Sequence, residues 1–255
     1  MRGEKVPLSL PRRFVIDLLH AARSVPTVPV QRRMHLGRLA EARAGLADRP
    51  GWTALFVLAY ARVAQATPAL RRAYIKFPTT RLVQYPVSVA SIALEREYDG
   101  ESGVFVGRVK DPAAMTPAQA HAAVSYFQTV PVLECKNFRR ALRLTKLPLP
   151  VRRAAWWLGL NVARQRGNYC GTFGVSVYSA LGAESLHPIS PCTTTLTYGV
   201  IDPDGVVDVR IVYDHRVLDG ATVARALDAL ETELVGRVAD ELAPRAKPAA
   251  LRVAG

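Results

Sequence analysis

The 255-residue chain is poor in cysteine, in acid and in long apolar runs, and each shortage excludes something. Cys135, Cys170 and Cys192 are too few and too widely spaced for a disulfide framework, and no C-x-x-C pair offers a structural zinc site. This pattern suits a reducing compartment. No stretch approaches the roughly 18 to 20 unbroken apolar residues of a spanning helix, so an integral membrane protein is not expected. At the start, Leu8-Ser9-Leu10-Pro11-Arg12-Arg13 stands where a secretory leader would carry its apolar core, which predicts a cytoplasmic chain.

Asp and Glu number 21 against 34 Lys and Arg, giving a formal charge of +13. Such an excess attracts nucleic acid, anionic surfaces and coenzyme phosphates alike. With 49% apolar residues the chain has ample material for a core, and wholesale disorder is excluded.

Periodicity predicts a helix over 12–22, extended chain over 25–34, a short helix over 36–46 and a buried, alanine-rich helix over 52–65. Alternation predicts a strand over 82–94 and another over 103–109, followed by a helix from Pro117 through Phe127. The last third predicts strands over 171–179 and 193–201. The Asp202-Pro203-Asp204-Gly205 turn and a strand over 206–213 complete a hairpin. Val223, Ala226, Leu227, Leu230 and Leu234 then mark one face of a closing helix. Strands and helices in this order predict an α/β fold, of one large domain or two small ones at this length, and the tail after Leu242 is expected to fray. Between Pro131 and Asn168, Lys136, Arg139, Arg140, Arg143, Lys146, Arg152, Arg153, Arg164 and Arg166 occur with no acid among them, around Trp156-Trp157. The plain reading is a solvated basic helix with Trp156, Trp157, Leu158 and Leu160 packed inward. The sharper readings are a docking surface for an acidic carrier or coenzyme phosphates, or a peripheral membrane contact.

The chemistry concentrates in Asp214-His215-Arg216-Val217-Leu218-Asp219-Gly220, between a buried strand and a helix start. An imidazole on a rigid connection is suited to general-base work. Asp219 and Gly220 are open to a second reading, as helix cap and turn residue only. His20, His35, His121 and His187 sit in no matching motif.

This stretch resembles the D-H-R-x-x-D-G signature of the acyltransferase catalytic domain of 2-oxoacid dehydrogenase complexes, whose H-x-x-x-D-G chloramphenicol acetyltransferase shares. The resemblance runs along the chain: Leu10-Pro11-Arg12-Arg13 to Pro26 is similar to the family's first helix, and Trp52 to Leu70 to its long buried helix. Gly103 to Asp111 is similar to its G-L-V-V-P-V-I-R-D strand, with Gly107 in place of proline, and Gly171-Thr172-Phe173-Gly174-Val175-Ser176 to its G-T-F-T-I-S. It implies a single catalytic domain over 1–242 with a flexible tail over 243–255, in a chloramphenicol-acetyltransferase-like α/β fold, a large mixed sheet covered by helices. It also implies acyl transfer from a coenzyme A or phosphopantetheine thioester without a covalent enzyme intermediate. By that resemblance His215 is the general base and Ser176 the oxyanion donor, with Tyr178 and Ser179 as alternatives on the same segment. Asp219 is architectural and paired with Arg12 or Arg13, while Asp214, Thr172 and Gly220 support the site. No metal is implied. None of the lysines lies in a D-K-A-like hairpin that a lipoyl group would occupy, so the acyl group is expected to arrive free or on a carrier protein. Family members are trimers with sites between subunits, so a homotrimer or an assembly of trimers is expected, and nucleic acid is not an expected partner. The alternatives are a non-catalytic structural or carrier-binding relative, and a basic protein that binds membrane or nucleic acid through 131–168.

Overall fold

A computed structural model describes residues 3–243; the tail expected beyond that lies outside the described residues. In chain order the main elements are α1 (Leu10–Ala22), β1 (Thr27–His35), α2 (Gly37–Ala44), α3 (Trp52–Ala66), β2 (Arg72–Ile75), β3 (Arg81–Gln84), β4 (Val89–Tyr98) and β5 (Glu101–Lys110). There follow α4 (Pro117–Thr129), α5 (Lys136–Thr145), α6 (Leu149–Asn161), α7 (Ala163–Tyr169), β6 (Phe173–Val175), β7 (Thr194–Tyr198), β8 (Val206–Asp214) and α8 (Gly220–Glu233). Six strands form one mixed sheet in the order β1-β8-β7-β6-β4-β5, and β2 pairs with β3 in a separate ribbon. No helix among the described residues is long and apolar enough to cross a membrane.

Strand alternation gives the sheet two different faces. Phe173, Thr194 and Tyr198 point toward α3, where Tyr60 packs on the Phe173 ring at 4.5 Å and Phe56 stacks on Tyr198 at 4.2 Å. The α3 residues from Ala54 to Ala64 are all buried, which explains why this helix reads as apolar all round rather than as a stripe. The opposite face carries Ser91 and Ala93 of β4, Val104 and Val106 of β5, and Gly174 of β6. It is roofed by α1, α6 and α7, with α5 along the β5 edge.

Two strand expectations needed correction. The strand expected over 82–94 is two strands, because Pro86 interrupts the ladder and β3 leaves for the small ribbon while β4 enters the main sheet. The strand expected over 171–179 is only Phe173–Val175. Gly171 has φ +74°, and a β-carbon there would lie 2.7 Å from the Val89 carbonyl oxygen, so glycine marks a bend just before the pairing begins. Gly107, where the resemblance leads one to expect proline, faces Phe127; an added β-carbon would sit 2.5 Å from that ring.

The segment 131–168 folds as three helices rather than one solvated helix. Leu160 is buried and Trp156 packs on Phe14 at 5.6 Å, but Trp157 and Leu158 are each 48% exposed. Its arginines also divide. Arg152 and Arg153 reach Asp17 of α1, with Nε to Oδ2 at 2.8 Å and Nη1 to Oδ1 at 3.6 Å, and Asp17 is fully buried. Arg166 is buried and donates to the Pro191 carbonyl at 2.9 Å. Lys136, Arg139, Arg140, Arg143, Lys146 and Arg164 remain exposed.

Candidate active site

β8 ends at Asp214, a fully buried carboxylate. Burying a charge is unfavourable without a partner, and Arg216 supplies one in fork geometry: Nε donates at 2.9 Å and Nη2 at 2.7 Å, while its backbone N–H donates at 3.0 Å. The guanidinium lies over the Tyr74 ring, 4.4 Å from the centroid, and also donates to the Ser24 carbonyl. Between these two residues the His215 backbone N–H donates to Pro26 at 3.0 Å. The turn carrying His215 is therefore held by β1, by the β2–β3 ribbon and by a buried ion pair, while the imidazole is exposed beside Tyr213. Among the described residues no side chain hydrogen-bonds this ring.

Asp219 occupies the N-cap position of α8, but its side chain accepts no capping bond and is exposed. The expected pair with Arg12 or Arg13 is not formed among the described residues. Arg12 is exposed and Arg13 half-buried, and the acid–arginine contact that does involve α1 runs the other way, from Asp17 to Arg152 and Arg153. Gly220 opens α8 beside Tyr213, whose hydroxyl would lie 3.4 Å from an added β-carbon. Thr172 is buried; its Oγ1 accepts the Val89 N–H at 2.9 Å and so fixes β6 against β4.

Ser176 follows β6, its backbone N–H donating to Leu196. Strand register separates it from His215. Tyr213 stands opposite Thr194, and Phe173 opposite the same Thr194, so Ser176 lies level with Arg210 and His215 level with Cys192. The two are five residues apart along the strands, about 16 Å, and two strands apart, about 10 Å. One chain does not bring them together.

Ser176 instead lines a cavity of about 770 Å³ between the second sheet face, α1 and α5–α7. Its wall is largely apolar, from Phe14, Leu18, Val104, Val106, Trp156 and Leu158, with Arg108 and Arg140 its charged groups. Both guanidiniums approach the Tyr169 ring, at 5.8 and 5.1 Å. Burial, with Arg140 nearby, holds the Arg108 guanidinium below its ordinary pKa. The cavity was not visible to sequence reasoning. Its one trace was Asp17, an isolated acid on an otherwise apolar and basic helix, whose partners had to come from elsewhere.

Cys170 and Cys192 also line the cavity, and the Cys192 thiol donates to the Cys170 carbonyl at 3.3 Å. Burial pushes the Cys170 thiol up to about 12 and raises Cys192 as well. Thiolate is the reactive form, so at pH 8 the native chain should alkylate at Cys170 on the order of 10³-fold more slowly than the unfolded chain. Mass spectrometry after timed iodoacetamide treatment, with and without denaturant, checks this.

No protein-family model matches the chain, and no curated protein matches it by sequence. Solved structures do. A probable dihydrolipoamide acetyltransferase from Listeria monocytogenes superposes with a TM-score of 0.67 at 15% identity, over 96% of this chain and 98% of that one. The cubic core of the pyruvate dehydrogenase multienzyme complex gives 0.63 at 18% identity, over 92% and 93%. Chloramphenicol acetyltransferase gives 0.53 at 12% identity, over 91% and 100%. The six-stranded mixed sheet with helices on both faces is thus the fold shared by dihydrolipoamide acetyltransferase catalytic domains and chloramphenicol acetyltransferase.

Proposed function

We propose that the protein is an acyltransferase that moves an acyl group from a coenzyme A or carrier-protein thioester to a thiol, hydroxyl or amine, in an assembly of trimers or a single trimer. The observation that carries this reading is the pairing of an exposed, rigidly held His215 with a Ser176 that stands on a cavity wall too far away to meet it in the same chain. The site then forms between subunits, His215 from one and Ser176 from its neighbour. His215 removes the proton as the nucleophile attacks the thioester carbonyl. The new bond forms, the oxygen takes the negative charge next to the Ser176 hydroxyl, and the carbon–sulfur bond then breaks as the proton passes to the departing thiolate. Asp214 and Arg216 position His215 without touching substrate. The exposed basic face of α5, with Lys136, Arg139 and Arg143, supplies attraction for coenzyme phosphates or an acidic carrier.

Two inactive chains test the arrangement. Co-refolded His215→Ala and Ser176→Ala chains should regain activity, because about one quarter of sites in randomly mixed trimers receive both wild-type groups. Thiol release is measured across acyl-coenzyme A donors, with hydrolysis and transfer scored separately. A mixture as inactive as its parents, or a stable monomer by light scattering, would refute the shared site.

A further inference from the structure

The cavity behind Ser176 is far larger than a short acyl group needs. At about 30 Å³ per water-sized group, its 770 Å³ has room for roughly 25 such groups. This is within the size range of pockets that bury whole ligands. The roof is built from the basic segment, chiefly α6, which Asp17 pins to α1 through Arg152 and Arg153. The wall contains two arginines and, among the described residues, no carboxylate or lysine. An ammonium ligand finds no carboxylate to pair with there, and although Ser91, Asn137, Gln165 and Tyr178 offer hydrogen bonds, most of the wall is apolar, a surface suited to a neutral aliphatic chain. At Gly159 the roof is open, with nothing within 4 Å of a β-carbon built there.

We propose that this cavity houses the acyl chain of the substrate, and that the chain is a long aliphatic one of about ten carbons or more. The assignment rests on the acyl-transfer reading for its direction. With the carbonyl oxygen at Ser176 and the nucleophile at the neighbour's His215, the substituent that runs back into the chain bearing Ser176 is the acyl tail.

The test separates the cavity from the chemistry. Binding of cis-parinaric acid is followed by fluorescence and competed with palmitate or butyrate, for the wild type, Gly159→Phe, Gly159→Ala and, from the α5 wall, Ala141→Phe. Thiol release is measured in parallel from palmitoyl- and acetyl-coenzyme A, and folding is checked by thermal melts. Palmitate should displace the probe and butyrate should not. Gly159→Phe and Ala141→Phe should each weaken probe binding tenfold or more, with Gly159→Ala within twofold of wild type. Gly159→Phe should cut palmitoyl turnover tenfold or more and acetyl turnover less than twofold. If Gly159→Phe does not fold, Ala141→Phe decides. Absence of probe binding, unchanged binding in the folded filled variants, or a rate that depends on the chain length of an alcohol acceptor but not of the acyl group, overturns the proposal. Probe binding lost on filling, with no thioester turned over by the wild type, supports a long-chain site and removes the acyl-transfer reading instead.

Discussion

Replacing His215 by Ala is expected to lower acyl transfer by about 10²- to 10⁴-fold, the range that a positioned general base supplies. The fold should not notice. The contacts that hold this turn are the His215 backbone N–H to Pro26 and the Asp214–Arg216 fork, and none uses the imidazole. An exposed side chain without bonding partners changes stability by only about 0.5 kcal/mol when removed. The variant should therefore melt with the wild type while its thiol-release rate collapses. Ser176→Ala is expected to lose about 10²- to 10³-fold by the same assay, the typical effect of deleting one oxyanion donor. Transfer that survives the His215 change would remove the base assignment, whereas a wild type that turns over no thioester would favour a non-catalytic relative.

Much of the fold could be read from local pattern, because local pattern had few competitors. The buried helix Trp52–Ala66, the Pro117 helix start with its Thr116 cap, and the hairpin around Gly205 at φ +80° follow from apolar content, proline at a first turn and a glycine that tolerates positive φ. What failed was non-local. The Pro86 break sends β3 into a different sheet, a destination that depends on pairing partners rather than on its own residues. In the site, the strand-end position of His215 was legible, but the bend at Gly171 that leaves only Phe173–Val175 paired before Ser176 was not. Nor was the partner of Asp219: a carboxylate and an arginine far apart in sequence can each pair elsewhere, and here the α1 arginines stay unpaired with it while Asp17 takes the buried ion pair. The basic run looked like a surface feature because charge is normally solvated. Three of its arginines instead face inward, where a buried acid and a backbone carbonyl receive them.

That inward pair has the largest expected effect on stability. Asp17 is 0% exposed, and Arg152 and Arg153 are the two cations within ion-pair reach of its carboxylate among the described residues. Replacing both arginines by Met leaves a buried charge without compensation, which typically costs about 3 to 5 kcal/mol. For a domain of this size that corresponds to a fall in melting temperature of roughly 6 to 20 °C. Either arginine replaced alone should cost less, since the remaining guanidinium still faces the carboxylate. The decisive control is the triple variant that also carries Asp17→Leu. A buried ion pair can be exchanged for apolar side chains with little loss, so removing the stranded carboxylate should return most of the stability. Calorimetric melts of the double and triple variants measure both effects. Equal destabilisation in the two would mean that lost packing of the arginine stems, not the uncompensated charge, dominates at the junction of α1 and α6. The double variant should also bind cis-parinaric acid more weakly than the wild type, because the ion pair it has lost holds the roof over the cavity.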